Sequence, residues 1–279
     1  MGEPFLGSEA VASGRVTPYA LRSRFVTVHR DVYIPRGTEI TAVLRAEAAW
    51  LWSRRRGVIA GRYASALHGA KWVDAHAPAE LIYRNRHAPK TIRIWADRIE
   101  HDEIAIRRGM PVTTPARTAL DLASRYLLDE AVALIDALAR ATHLKMADVE
   151  LLAERYRGRR GVRRALRALD LVDPGAQSPR ETWLRLLVIE AGYPPPQTQI
   201  PVYGKYGEIV AVVDMGWEDV KIALEYEGVH HWTDPRQIRR DVERYEALPE
   251  LGWITIRVTA GDTPGGILAR LATAWARRK

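Results

Sequence analysis

From Ser178 to the end of the chain the hydrophobic period changes in one fixed order, and that order narrows the fold more than any single motif does. An apolar helix opens at Ser178 and ends near Gly192, where prolines 194 to 196 stop it. Strands are expected at about 197–203, 208–215 and 221–227, with Trp217-Glu218-Asp219 as the turn between the last two. A helix from Asp234-Pro235 to about Leu248 leads into the strand Trp253-Ile254-Thr255-Ile256-Arg257-Val258, and a final helix covers about Ile267 to Arg277. Helix, three strands, helix, strand, helix predicts a mixed sheet flanked by helices, an α/β arrangement.

Asp173-Pro174-Gly175-Ala176-Gln177 is rich in turn formers and sets this region, 173–279, apart from what precedes it. At the front, residues 1–37 read as a truncated winged helix. Thr17-Pro18 starts a helix, and Phe25-Val26-Thr27-Val28-His29-Arg30-Asp31-Val32-Tyr33-Ile34 alternates until Pro35 and Gly37 stop it. Residues 38–125 read as an α/β region, with helices at about 39–55 and 62–68 and strands at about 81–85, 91–95 and 103–107. Thr114-Pro115 then caps a helix at about 115–125. Residues 126–172 form an arginine-rich helical connector, with helices at about 128–142, 146–156 and 161–170.

With 279 residues, 47% hydrophobic and 27% charged, the chain is long enough for two ordinary globular domains. It has no run of about eighteen apolar residues and no secretory layout at its start, so a cytoplasmic location without a membrane partner is expected. Cysteine is absent, so any metal must be held by oxygen or histidine. The formal net charge of +8 favours a polyanionic partner, nucleic acid first, because neutralised phosphates release counterions. Nearly all of that charge is arginine, a bias that a GC-rich genome also produces.

Candidate chemistry gathers at Val213-Asp214 and Leu224-Glu225-Tyr226-Glu227-Gly228. Side chains alternate along a strand, so Glu225 and Glu227 share one face, and a hairpin brings Asp214 beside them. Carboxylates packed together repel, and a hard divalent ion such as Mg²⁺ or Mn²⁺ relieves the repulsion while leaving positions for water and phosphate. The competing explanation is an acidic solvent face on an antiparallel strand. His231 is either a general base or phosphate contact, or a loop-stabilising residue. Ser178-Pro179-Arg180-Glu181 is a capping box in which Glu181 returns to the Ser178 amide, a role that competes with reaching a metal. Gln237, Asp241 and Arg244 share a helix face, either with Arg244 on phosphate and Asp241 orienting it or as a surface salt-bridge array. Arg155, Arg157, Arg159, Arg160, Arg163, Arg164 and Arg167 form either a phosphate-contacting surface or a solvated helix pair. The histidines at 29, 68, 76, 87, 101 and 143 lack ligand spacing and are expected to be structural.

Taken in order, Ser178-Pro-Arg-Glu-Thr-Trp-Leu, Gly192-Tyr-Pro-Pro-Pro, Val213-Asp214, Leu224-Glu-Tyr-Glu-Gly, His231, Arg240-Asp-Val-Glu-Arg and Leu251-Gly-Trp-Ile-Thr-Ile-Arg resemble the motifs of very-short-patch-repair-like endonucleases of the PD-(D/E)XK superfamily. The resemblance spans about residues 178–260. It implies Asp214 and Glu225 as metal ligands with the Tyr226 carbonyl as a third, Glu181 as the helix glutamate and His231 as the family histidine. Glu227 stands where the superfamily has lysine, so it either joins the metal shell or alters catalysis. The front half resembles the AbiEi-type antitoxins through Val32-Tyr-Ile-Pro, Ala64-Ser-Ala-Leu-His-Gly and Pro111-Val-Thr-Thr-Pro-Ala-Arg-Thr-Ala-Leu-Asp-Leu.

Three functions are therefore expected in turn. The first is a metal-dependent DNA endonuclease, with Asp214, Glu225, Glu227, His231 and Glu181 at its centre and Arg240, Arg244, Arg159, Arg160, Arg163 and Arg164 on phosphates. The second is a non-catalytic DNA-binding regulator or antitoxin. The third is a protein-interaction role, with a toxin or another protein as partner.

Overall fold

The computed structural model describes residues 2–85, 87–228 and 247–278, and the chain divides into two compact units, residues 1–172 and 173–279. The architecture is mixed α/β.

The first unit begins with a strand and helix that alternation alone does not announce. These are β1 (Phe5–Leu6) and α1 (Gly7–Ala12), ahead of α2 (Pro18–Arg24) and the hairpin β2 (Phe25–His29) and β3 (Val32–Pro35). β1 and β2 both run antiparallel to β3, giving a three-stranded sheet in the order β1-β3-β2. Next comes α3 (Ala42–Trp52), rich in alanine, leucine and tryptophan on every face, the composition of a helix packed on more than one side. Ala48 and Leu51 pack with Leu6 and Val32 of the front sheet, while Ala46 and Ala49 pack into the next core.

That second core belongs to a five-stranded mixed sheet ordered β6-β5-β4-β8-β7. Its strands are β4 (Val58–Ile59), β5 (Ala79–Ile82), β6 (Ile92–Trp95), β7 (Ile104–Arg107) and β8 (Met110–Thr113), and α4 (Gly61–Leu67) lies between β4 and β5 in sequence. Ile59, Tyr63, Leu67, Leu81, Ile92 and Val112 close the core. The strand expected at 81–85 occurs slightly earlier, at Ala79–Ile82, the one expected at 91–95 is found at Ile92–Trp95, and β4 and β8 are too short to show a period.

Helices α5 (Pro115–Arg125), α6 (Leu128–Thr142), α7 (Met146–Arg155) and α8 (Val162–Leu169) follow the expected spans closely. Thr114 caps α5 by accepting from the Arg117 amide at 3.3 Å, with Pro115 in the first turn. α6, α7 and α8 each contact α5.

The second unit runs α9 (Pro179–Glu190), β9 (Gln197–Tyr203), β10 (Ile209–Trp217), β11 (Ile222–Glu227), β12 (Ile254–Thr259) and α10 (Pro264–Ala276). The sheet order is β12-β11-β10-β9, with β11 and β12 parallel and the other pairs antiparallel. A parallel pair needs a crossover, and the connection passes through residues 229–246, outside the described residues. Leu184 and Val188 of α9 and Ile267 and Leu271 of α10 share a core with Leu224 and Ile256. Ala223 joins a second core with Val213, Leu248 and Trp253.

Candidate functional site

In the second unit, the β10–β11 register pairs Met215 with Leu224 and Gly216 with Ala223. Asp214 directly adjoins that paired stretch of β10, and Glu225 that of β11, so the two lie on adjacent strands. Asp214 Oδ2 accepts a hydrogen bond from the Tyr226 amide at 2.9 Å. Val213 packs into one core and Met215 into the other, so the in-and-out alternation of β10 breaks at Asp214. Glu225 is buried, whereas Glu227 is half-buried and pairs with Arg257 Nε at 3.3 Å. Sequence reasoning missed Arg257. It sits on β12, opposite Glu225 in the parallel register, a long-range neighbour that no local spacing encodes.

Two carboxylates on adjacent strands beside the Tyr226 backbone are hard oxygen donors of the kind Mg²⁺ takes. Among the described residues, however, no group of three acidic or histidine side chains comes together to hold a metal. Glu227 is turned to an arginine, and His231, Arg240 and Arg244 lie outside the described residues, as do Gln237 and Asp241. Glu181 is buried and caps: Oε2 accepts from the Gln177 amide at 2.8 Å and Oε1 from the Ser178 hydroxyl at 3.0 Å. The Ser178 hydroxyl in turn accepts from the Glu181 amide at 3.2 Å. The reciprocal box is therefore present, but the amide that Glu181 reaches is that of Gln177, one residue earlier than expected.

The first unit gathers charge around α5. Arg117 is fully buried, with Nε donating to Asp121 Oδ2 at 2.9 Å and Nη1 donating to Glu103 and to the Tyr156 hydroxyl. Its guanidinium lies 5.0 Å from the centre of the Tyr156 ring. Arg159 bridges Asp97 at 2.7 Å and Asp121 at 3.0 Å, Arg155 holds Asp102 at 2.7 Å and Glu103 at 2.9 Å, and Arg125 pairs with Asp97. Four arginines, 117, 125, 155 and 159, thus face four carboxylates, 97, 102, 103 and 121, in one balanced network.

Two members of the arginine cluster read from sequence, Arg155 and Arg159, are thereby committed to carboxylates, and Arg157 pairs with Glu154. Arg160, Arg163, Arg164 and Arg167 are exposed and have no carboxylate partner among the described residues. Arg163, Arg164 and Arg167 lie on α8, and Arg160 precedes its Gly161 N-cap.

The front segment offers a different surface. No residue of α2 is buried, and Tyr19, Arg22, Ser23 and Arg24 face solvent. Thr17 caps its start by accepting from the Ala20 amide at 3.1 Å. Arg36, just past the hairpin, closes its end by donating to the Arg22 and Ser23 carbonyls at 3.1 and 2.9 Å. The order β1-α1-α2-β2-β3 sets an exposed basic helix beside a two-stranded wing.

The signature Pro111–Leu122 has become the β8–α5 junction, with its Thr113–Thr118 hydroxyl bond of 2.7 Å and its Arg117–Asp121 pair. Residues 42–173 match the family model of the AbiEi antitoxin C-terminal domain. This AbiEi-like domain covers α3 to α8. Two uncharacterised proteins of Mycobacterium tuberculosis, from strains CDC 1551 / Oshkosh and H37Rv, are each 35% identical to the chain over 167 residues. The match covers 59% of this chain and 61% of the length of each relative. No solved structure matches. The family match bears out the antitoxin resemblance of residues 42–173 and gives no support to an endonuclease domain at the C-terminus. Among the described residues no helix is long and apolar enough to cross a membrane.

Proposed function

We propose that the protein is a DNA-binding regulator of the antitoxin type, in which the front segment contacts DNA and the AbiEi-like domain engages a protein partner, a toxin by analogy with the matched family. The observation that carries this reading is α2, a short basic helix with no buried residue, capped at both ends and set beside a hairpin directly ahead of the AbiEi-like domain. A helix held in that way presents its side chains to a groove, while arginines and backbone amides take up phosphates.

The test is a gel shift with DNA from upstream of the protein's own reading frame, at several salt concentrations. Arg22→Ala/Arg24→Ala is expected to weaken binding at least about tenfold and to lower the salt slope by roughly two. Equal binding by the double variant and wild type, with folding retained, overturns the assignment of α2. The partner is tested by co-expression with the neighbouring gene: co-purification and relief of its toxicity support the antitoxin role, and neither effect refutes it.

A second reading, a metal-dependent DNA endonuclease in the second unit, is favoured by one observation, Asp214 and Glu225 on adjacent strands with Asp214 accepting from the Tyr226 amide. Mg²⁺ or Mn²⁺ there would be held by Asp214, Glu225 and the Tyr226 carbonyl, and would supply an activated water and charge neutralisation. A plasmid-nicking assay with and without EDTA, on wild type and Asp214→Ala, decides it. Nicking that EDTA and the substitution leave unchanged removes the site.

A further inference from the structure

Between the end of β6, the last turn of α5 and the start of α8, the AbiEi-like domain holds a cleft of about 800 Å³. Its charged lining is Arg93, Asp97, Arg125, Arg159, Arg160 and Arg164, five arginines against one aspartate. Glu80 lies behind Arg93, 3.6 Å away, on the neighbouring strand.

The arginines fall into two groups. Arg125 and Arg159 are fixed walls: both pair with Asp97, and the Arg125 guanidinium lies 4.1 Å from the centre of the Trp95 ring. Arg164 donates through one Nη to the Ser124 carbonyl, which aims it while leaving its other donors open. Arg160 has no hydrogen-bond or ion-pair partner among the described residues.

Gly161 also lines the cleft, and it begins α8 with φ +92° and no side-chain cap. A Cβ there would meet the Ser124 carbonyl oxygen at 2.4 Å, so glycine lets the start of α8 pack against the end of α5. Gly161 thus brings the N-terminal end of α8 to the cleft, and the helix dipole adds partial positive charge there.

We propose that this cleft binds a compact phosphate anion, the diphosphate or triphosphate tail of a free nucleotide. Arginine forks match phosphate oxygens, and Arg125 and Arg159, already held by Asp97, lose little freedom on binding. The volume lies within the range of small-molecule sites. Duplex DNA asks for an exposed ridge instead, which Arg163 and Arg167, exposed and outside the cleft lining, offer on α8. The site does not depend on α2 contacting DNA, and the two are tested by different variants.

The full chain is titrated with sodium pyrophosphate, with ATP and with a short DNA duplex, following calorimetric heat and tryptophan fluorescence at low and high salt. Expected are saturable binding of pyrophosphate or ATP that weakens with salt, and about a tenfold loss in each of Arg160→Ala and Arg164→Ala. Arg157→Ala, outside the cleft, should bind like wild type. Equal affinities for pyrophosphate and ATP would mark the polyphosphate as the recognised group, and a preference for ATP would bring in the nucleoside. Arg160 makes no hydrogen bond or ion pair among the described residues, so its variant keeps the fold, checked by an unchanged melting midpoint. No response to pyrophosphate or ATP, undiminished binding by Arg160→Ala, or binding of duplex alone overturns the proposal.

Discussion

Replacing Arg117 with methionine tests whether the charge network holds the AbiEi-like domain together. Arg117 is fully buried, as is Asp121, and Glu103 is 2% exposed. Methionine fills much of the same volume but leaves two buried carboxylates without their shared cation. Arg159 remains on Asp121, and Arg155 remains on Glu103, so the loss is partial for each. Breaking a buried pair from one side costs about 3–5 kcal/mol, which in a unit of this size lowers the melting midpoint by roughly 6–20 °C. Calorimetry and urea denaturation read the change. The transition of the second unit should stay in place, because every contact of Arg117 lies between residues 97 and 156. Asp121→Asn completes a double-substitution cycle, with an expected coupling of about 1–3 kcal/mol. If Arg117→Met shifts stability by less than about 1 kcal/mol, the network is ornamental and the argument from burial fails.

Three further outcomes follow from particular contacts. Burial, with Arg45 near, pushes the His29 imidazole from 6.5 down to about 4, and its Nε2 is buried without a hydrogen-bond partner. Its folded value lies below its unfolded one, so stability present above pH 6.5 is lost as the pH falls through 4, by about 3 kcal/mol; His29→Gln should lose that slope in urea titrations, and parallel pH profiles would refute it. Gly161→Ala should destabilise by roughly 1–3 kcal/mol through the Ser124 clash, whereas Gly158→Ala, with open space around it, should stay within about 0.5 kcal/mol in the same melts. Glu181→Ala should cost about 1–2 kcal/mol in urea denaturation by freeing the Gln177 amide, and an unaltered midpoint would show the cap to be dispensable.

Legibility from sequence followed the range of the interaction. Helices α5 to α9 were read almost to the residue because caps and the 3.6 period are local signals, as at Thr114-Pro115 and Ser178-Pro179. β9 was read within its bounds, whereas the two-residue strands β1 and β4 carry no period and exist only because neighbours pair with them. Asp214 and Glu225 could be placed on adjacent strands from one turn. The partner of Glu227 could not, since Arg257 arrives through a crossover. Likewise the arginine run 155–167 was visible as charge, but its division into committed and uncommitted members depends on Asp97, Asp102 and Asp121, set far apart along the chain.

The two-sided packing of α3 has a practical corollary. A fragment cut to begin at residue 42, where the family match starts, would keep Ala46 and Ala49 covered yet strip Leu6 and Val32 from Ala48 and Leu51. The trimmed domain would carry a bare oily seam along its first helix, inviting self-association. Expression boundaries drawn by homology therefore cut through a shared wall, and a well-behaved fragment has to retain the first strand and the hairpin.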